Sequence, residues 1–159
     1  MKFSLSPNVE RTLRFLLAIL MLWAAVSKLA NPTEFLGSIY GYELPLPRAL
    51  LQITAVVLPW VELICGLLLL AGFWQPTALL LVTGLLVIFV LATGQAWARG
   101  IDISCGCFDL NILGLDSRTS SLARFLESVA FAFFRNLALT ALAALLLYQS
   151  TRVTTDEAA

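Results

Sequence analysis

The sequence predicts an all-α fold: a four-helix transmembrane bundle with a short interfacial helix after the first span. Three observations carry this. Of the 159 residues, 60% are hydrophobic and 13% charged, against roughly 25% charged in an ordinary soluble domain. Residues 63 to 98 contain no Asp, Glu, Lys or Arg, and that stretch is too long for one crossing, which needs about 20 apolar residues. The remaining charges gather mostly at the ends of apolar stretches or between them.

The first span covers about 12–30, where Leu13 to Leu29 is apolar apart from Arg14, Ser27 and Lys28. Lys2, Arg11 and Arg14 before an apolar stretch ending in small residues also fit a cleavable signal peptide. A retained span is the reading preferred here, because Lys28 follows directly and an even number of spans puts both termini on one side. Next, Asn31-Pro32-Thr33-Glu34 combines an N-cap residue, proline at the first helical position and a carboxylate three residues after the cap. A short helix should start there, with Phe35, Leu36, Ile39 and Tyr40 on one face, Gly41 ending it, and Pro45 and Pro47 blocking continuation. It should lie in the interface over one mouth of the bundle.

The charge-free stretch divides at Trp74-Gln75-Pro76, where Gly72 can end one helix and Pro76 open the next. Spans at about 49–72 and 77–98 therefore form a tight hairpin. The fourth span, about 124–149, is apolar from Val129 to Tyr148 apart from Arg135, Asn136 and Thr140. With no repeat or long linker, residues 1–159 read as one integral membrane domain.

Composition excludes several functions. Ten basic residues balance ten acidic ones, so the chain lacks the basic field of a nucleic-acid binder. The absence of histidine removes Ser-His and Cys-His catalytic pairs, His-ligated haem, and His-ligated zinc or copper. The natural partner of such a chain is the lipid bilayer. Basic residues flanking the spans tie between the two sides, with Lys2, Arg11, Arg14 and Arg152 on one and Arg48, Arg99, Arg118 and Arg124 on the other. Three of the first set lie before or at the start of the first span, which favours cytoplasmic termini. The loops at 31–48 and 99–123 then face the outer compartment, where disulfides form and persist.

The second of those loops carries Ser104-Cys105-Gly106-Cys107-Phe108-Asp109. A bridge between Cys105 and Cys107 requires a sharp turn, which Gly106 permits. So small a ring would be strained, and strained or exposed disulfides are the reducible ones. A redox-active dithiol is the leading reading, with a structural bridge, unreacted thiols or half of a metal site as alternatives. A metal would need ligands from Cys65, carboxylates or a second subunit, and no metal is expected.

Ionisable residues inside spans cost about 2.5–3.5 kcal/mol at a helix centre even on the mildest scale. Glu62 lies midway along span two, one turn after Pro59, which frees the Ala55 carbonyl. Arg135 and Asn136 enter span four, and Lys28 closes span one. With alternating directions these groups can converge below the cysteine loop. Structurally, Glu62 and Arg135 could pair to offset burial while Lys28 snorkels to the interface. Functionally, Glu62 could move a proton while the cations hold a thiolate or an anionic cofactor intermediate. Cys65, three residues after Glu62, shares its side of the helix but is more naturally a small buried hydrophobe. Trp74 and Trp97 suit interfacial belts, whereas Trp23 and Trp60 fall inside spans to pack or line a cavity.

Ser27-Lys28-Leu29 with Asn31-Pro32 and Phe35, Pro59-Trp60-Val61-Glu62 with Gly66-Leu67-Leu68-Leu69, Cys105-Gly106-Cys107-Phe108 and Arg135-Asn136 together resemble the MauE/DoxX-like membrane proteins, most of all the MauE branch. The resemblance runs over about residues 10 to 149. It implies a four-span protein of methylamine utilisation that helps the methylamine dehydrogenase small subunit gain its disulfides and mature cofactor, alongside a thioredoxin-like partner. The family pattern continues with glycine after Cys-x-Cys-Phe, and here that residue is Asp109, whose negative charge opposes thiolate formation nearby.

The expected protein is thus a thiol-disulfide redox protein of the bacterial cytoplasmic (inner) membrane. Cys105, Cys107 and Glu62 are its catalytic candidates, and Lys28, Arg135 and Asn136 its cofactor-binding candidates. The expected partner is a periplasmic thioredoxin-like or methylamine dehydrogenase-type protein. A membrane quinone is the candidate electron acceptor, by analogy with quinone-linked disulfide generators. A non-catalytic scaffold or assembly factor is the alternative. A small transporter fits less well, since it predicts an internal repeat or a path open to both sides.

Overall fold

The computed structural model describes residues 6–101 and 128–157, with side chains through residue 151. Every regular element among the described residues is a helix: α1 Pro7–Ala30, α2 Pro32–Gly41, α3 Arg48–Ala71, α4 Gln75–Ala98 and α5 Val129–Glu157. Four of them, α1, α3, α4 and α5 over Val129–Thr151, are long and apolar enough to cross a membrane. The chain is therefore a multi-pass membrane protein. Exposed Ile53, Val56, Leu80, Ile88, Leu91 and Phe134 form outer faces suited to lipid.

The breaks between helices follow from backbone chemistry. Gly72 ends α3 in the left-handed region at φ 77°, Trp74 follows at φ 46°, and Pro76 sits in the first turn of α4, giving the expected tight hairpin. The α1–α2 break differs from expectation, because α2 begins at Pro32 without a side-chain capping hydrogen bond from Asn31. Gly41 is its last helical residue, and the left-handed position falls on Glu43 at φ 47°. Pro59 is carried inside continuous α3.

The helices associate as two main pairs, α1 with α3 and α4 with α5, joined by contact between α3 and α4. Small residues set the approach. A Cβ on Gly66 would lie 2.9 Å from the Leu22 side chain and 3.3 Å from its backbone nitrogen, and one on Gly94 would lie 2.9 Å from the Phe133 ring. Leu17, Ala18, Met21, Cys65, Leu69, Leu79, Val82, Ala143 and Leu146 make the main apolar core.

The register between α1 and α3 positions the site. Leu22 is level with Gly66, so Ala30, eight residues on, is level with Leu58, about 15 Å short of Arg48 along α3 at 1.5 Å per residue. Helix α1 therefore stops beside the middle of α3. Helix α2 covers the remaining half, with Phe35 and Ile39 packed on Leu51 and Ala55.

The connection after α2 is tied to the end of α4. Gln95 Nε2 donates to the Tyr42 carbonyl at 3.4 Å, Arg99 Nη1 donates to the Glu43 carbonyl at 3.2 Å, and Arg99 Nη2 pairs with the Glu43 carboxylate at 2.7 Å. Buried Tyr42, Ala96 and Val129 form an apolar patch beneath.

Candidate functional site

Lys28 occupies the last turn of α1, where the partial negative charge of a helix C-terminus favours a cation. Its Nζ donates to both oxygens of Glu62, at 2.9 and 2.7 Å, and lies 3.4 Å from the Ala24 carbonyl. The rings of Phe35 and Phe89 flank it, with centroids 5.4 and 5.1 Å from the ammonium. The two side chains are 1% and 2% exposed. The expectation that Lys28 snorkels to the interface is corrected. Because α1 ends in mid-bundle, its terminal lysine meets a carboxylate fourteen residues into α3, and the cation closing on Glu62 at this distance is Lys28.

Behind the pair is a small cavity of about 20 Å³ lined by Lys28, Glu62, Arg135, Asn136, Met21, Phe89 and neighbouring apolar groups. The structure thus brings together four of the sequence-derived candidates from three helices, α1, α3 and α5. Arg135 Nη2 donates to Asn136 Oδ1 at 3.4 Å. Asn136 is buried, and its Nδ2 has no hydrogen-bond partner among the described residues. About 10–15 Å³ of such space admits one water. The cavity has room for one bridging water and is too small for a ring.

The remaining candidates separate from this cluster. Cys65 is a free thiol, 1% exposed and packed in the apolar core, so it acts as a small hydrophobe. Cys105, Cys107 and Asp109 lie outside the described residues, as do residues 124–127 of the expected fourth span. Trp60 faces outward at 54% exposure, correcting any packing role inside the bundle, although its outer face lines a groove. Trp97 packs tilted against Phe133 and edge-on to Phe134, centroids 5.5 Å from each.

Sequence reasoning missed the flanking Phe89 and the tie of Gln95 and Arg99 to residues 42–43. Phe89 is one apolar residue in an apolar span, and nothing in its local pattern marks it. The tie joins residues 53 and 56 positions apart.

The family model described as "Methylamine utilisation protein MauE" matches residues 6–149. The chain belongs to the MauE family. It is 34% identical over 142 residues to the methylamine utilization protein MauE of Paracoccus denitrificans, covering 89% of this chain and 69% of that one. The MauE protein of Methylophilus methylotrophus is 34% identical over 102 residues, 64% of this chain and 53% of its own. That of Methylorubrum extorquens is 37% identical over 103 residues, 64% and 55% respectively. The chain thus spans little more than half the length of two of these relatives. No solved structure matches. The MauE match takes in all six candidate residues, from Lys28 to Asn136.

Proposed function

We propose that this MauE-family chain is an integral membrane thiol-disulfide redox protein of the bacterial cytoplasmic membrane. It serves methylamine utilisation by supporting disulfide formation in, or maturation of, a periplasmic partner of methylamine dehydrogenase type, directly or through a thioredoxin-like protein. The observation that carries the reading is a cysteine pair one glycine apart, Cys105 and Cys107, inside the family-matched stretch. The third cysteine, Cys65, is locked in the apolar core, which leaves exchange to this pair.

In the exchange, a thiolate of the reduced partner attacks one sulfur of the Cys105–Cys107 disulfide and forms a mixed disulfide. The partner's second thiolate then displaces Cys105 or Cys107 and closes the partner's own bridge. The partner loses two electrons and two protons, and both cysteines end as thiols. Restoring the disulfide requires an acceptor of two electrons and two protons, for which a membrane quinone is the class available in a bilayer. This reading gives Glu62 the relay of a proton, with Lys28, Arg135 and Asn136 around it.

A scaffold or assembly role is the second reading. The observation favouring it is the closure of Lys28 on both oxygens of Glu62, a geometry that fixes helix register without any reaction.

The test is to express Cys105→Ser and Cys107→Ser separately and identify disulfide-linked complexes. The expected result is that one variant accumulates a mixed disulfide with a thioredoxin-like or dehydrogenase-type protein, and the double variant none. No adduct from either variant, with partner maturation intact in the double variant, would refute exchange and leave the scaffold.

A further inference from the structure

Lys28 is a wall shared by two spaces. One is the 20 Å³ cavity, and the other is a groove of about 390 Å³ on the outer side of α3, where α2 departs from α1. We propose that this groove seats the ring of a membrane quinone. The proposal rests on the thiol-disulfide reading above and assigns its acceptor a place.

Size decides between the two spaces. Small-molecule sites occupy about 300–1,000 Å³, which the groove meets, whereas the cavity holds one water. Arg135 and Asn136, grouped with Lys28 as cofactor-binding candidates, are then separated from the ring by the Lys28–Glu62 pair. They belong to the proton side of the site.

The lining fits the chemistry of a tailed quinone. Gln52, Val56 and Trp60 recur every four residues on α3 and form one stripe. Val56 is 66% and Trp60 54% exposed, so the groove opens sideways, where an isoprenoid tail can stay in the bilayer. Trp60 offers an aromatic face for the ring. The polar groups can donate: the Gln52 amide, the Thr33 hydroxyl, and the Thr33 N–H in the first turn of α2, which has no acceptor within the helix. Among the described lining residues there is one cation, Lys28, and no carboxylate. The Lys28 ammonium is held by both Glu62 oxygens, so what the groove offers two carbonyl oxygens is its neutral donors, and reduction must deliver two protons with the two electrons. As the Cys105–Cys107 bond forms, two electrons and two protons leave the thiols and convert quinone to quinol.

The experiment uses the full chain in lipid nanodiscs with a short-tailed azido-benzoquinone as photolabel. Label should map to the α3 peptide containing Gln52 to Trp60. It should be displaced by an unlabelled tailed benzoquinone and not by phosphatidylglycerol. Val56→Trp fills the groove from an exposed position and should reduce labelling by about tenfold or more with an unchanged thermal midpoint. Trp60→Leu should reduce it about three- to tenfold. Cys105→Ser/Cys107→Ser should label normally. Label outside the groove, indifference to Val56→Trp, or equal displacement by phosphatidylglycerol would overturn the proposal. Labelling in the groove without partner trapping would refute only the exchange reading, and trapping without labelling only the groove.

Discussion

Replacing Lys28 by Met removes the ammonium that holds Glu62 and leaves a carboxylate 2% exposed among apolar side chains. At 2.7 Å and an effective dielectric near 20, the attraction between the two charges is about 6 kcal/mol before desolvation is subtracted. Truncating one partner of such a pair typically destabilises by about 3–5 kcal/mol, because the other charge stays buried and uncompensated. That is a change of about 10² to 10⁴ in the folding equilibrium. Glu62→Leu should cost a similar amount. Lys28→Met/Glu62→Leu together should recover most of the loss, since well-packed apolar replacements of buried pairs are often neutral or better. Unfolding in mixed micelles, followed by circular dichroism for the four proteins, gives the cycle. A single-variant loss below about 1 kcal/mol, the range of exposed pairs, would refute a desolvated pair. So would a double variant as unstable as the sum of the singles, since coupled residues must depart from additivity.

Glu62→Gln separates the two proposed roles: it should slow quinone-linked reoxidation of Cys105 and Cys107 in a stopped-flow thiol assay, whereas unchanged reoxidation would remove Glu62 from proton transfer. Gly66→Ala should destabilise by about 1–3 kcal/mol because its Cβ would press on Leu22, with partial recovery in Gly66→Ala/Leu22→Ala, read from the same micelle unfolding. Arg99→Ala breaks a pair that is 47% and 63% exposed, so its loss of ion-pair stability should stay within about 1 kcal/mol and shrink in high salt. Trp74→Gly relieves a left-handed backbone at an exposed position and should leave the thermal midpoint in detergent unchanged or raised, as left-handed geometry costs a non-glycine residue about 1–2 kcal/mol.

What the sequence discloses is what a single helix can carry. The four spans follow from where hydrocarbon tolerates no charge, and the α3–α4 turn from the chemistry of Gly72 and Pro76. Lys28, Glu62, Arg135 and Asn136 stand out individually because each is polar where neighbours are apolar. Their arrangement is less legible. Lys28 looks like an interfacial residue as long as α1 is taken to cross the full bundle, and the axial offset of α1 against α3 depends on the contact of Leu22 with Gly66 rather than on composition. The α2 cap shows the same limit: Asn31, Pro32 and Glu34 spell a capping box, yet the helix starts from Pro32 without a side-chain capping hydrogen bond. Glu43 takes the left-handed position where Arg99, far along the chain, reaches both its carbonyl and its carboxylate.

The end of α1 beside the middle of α3 also constrains how the chain enters the membrane. Lys28 leaves the ribosome 34 residues before Glu62. Until α3 arrives, no carboxylate neutralises the ammonium, and a lysine in the last turn of a helix extends toward the interface. The depth that α1 takes by itself should therefore differ from the one it takes once Glu62 holds Lys28. A cut between residues 30 and 62 should leave α1 shifted so that Lys28 reaches the interface its helix end faces.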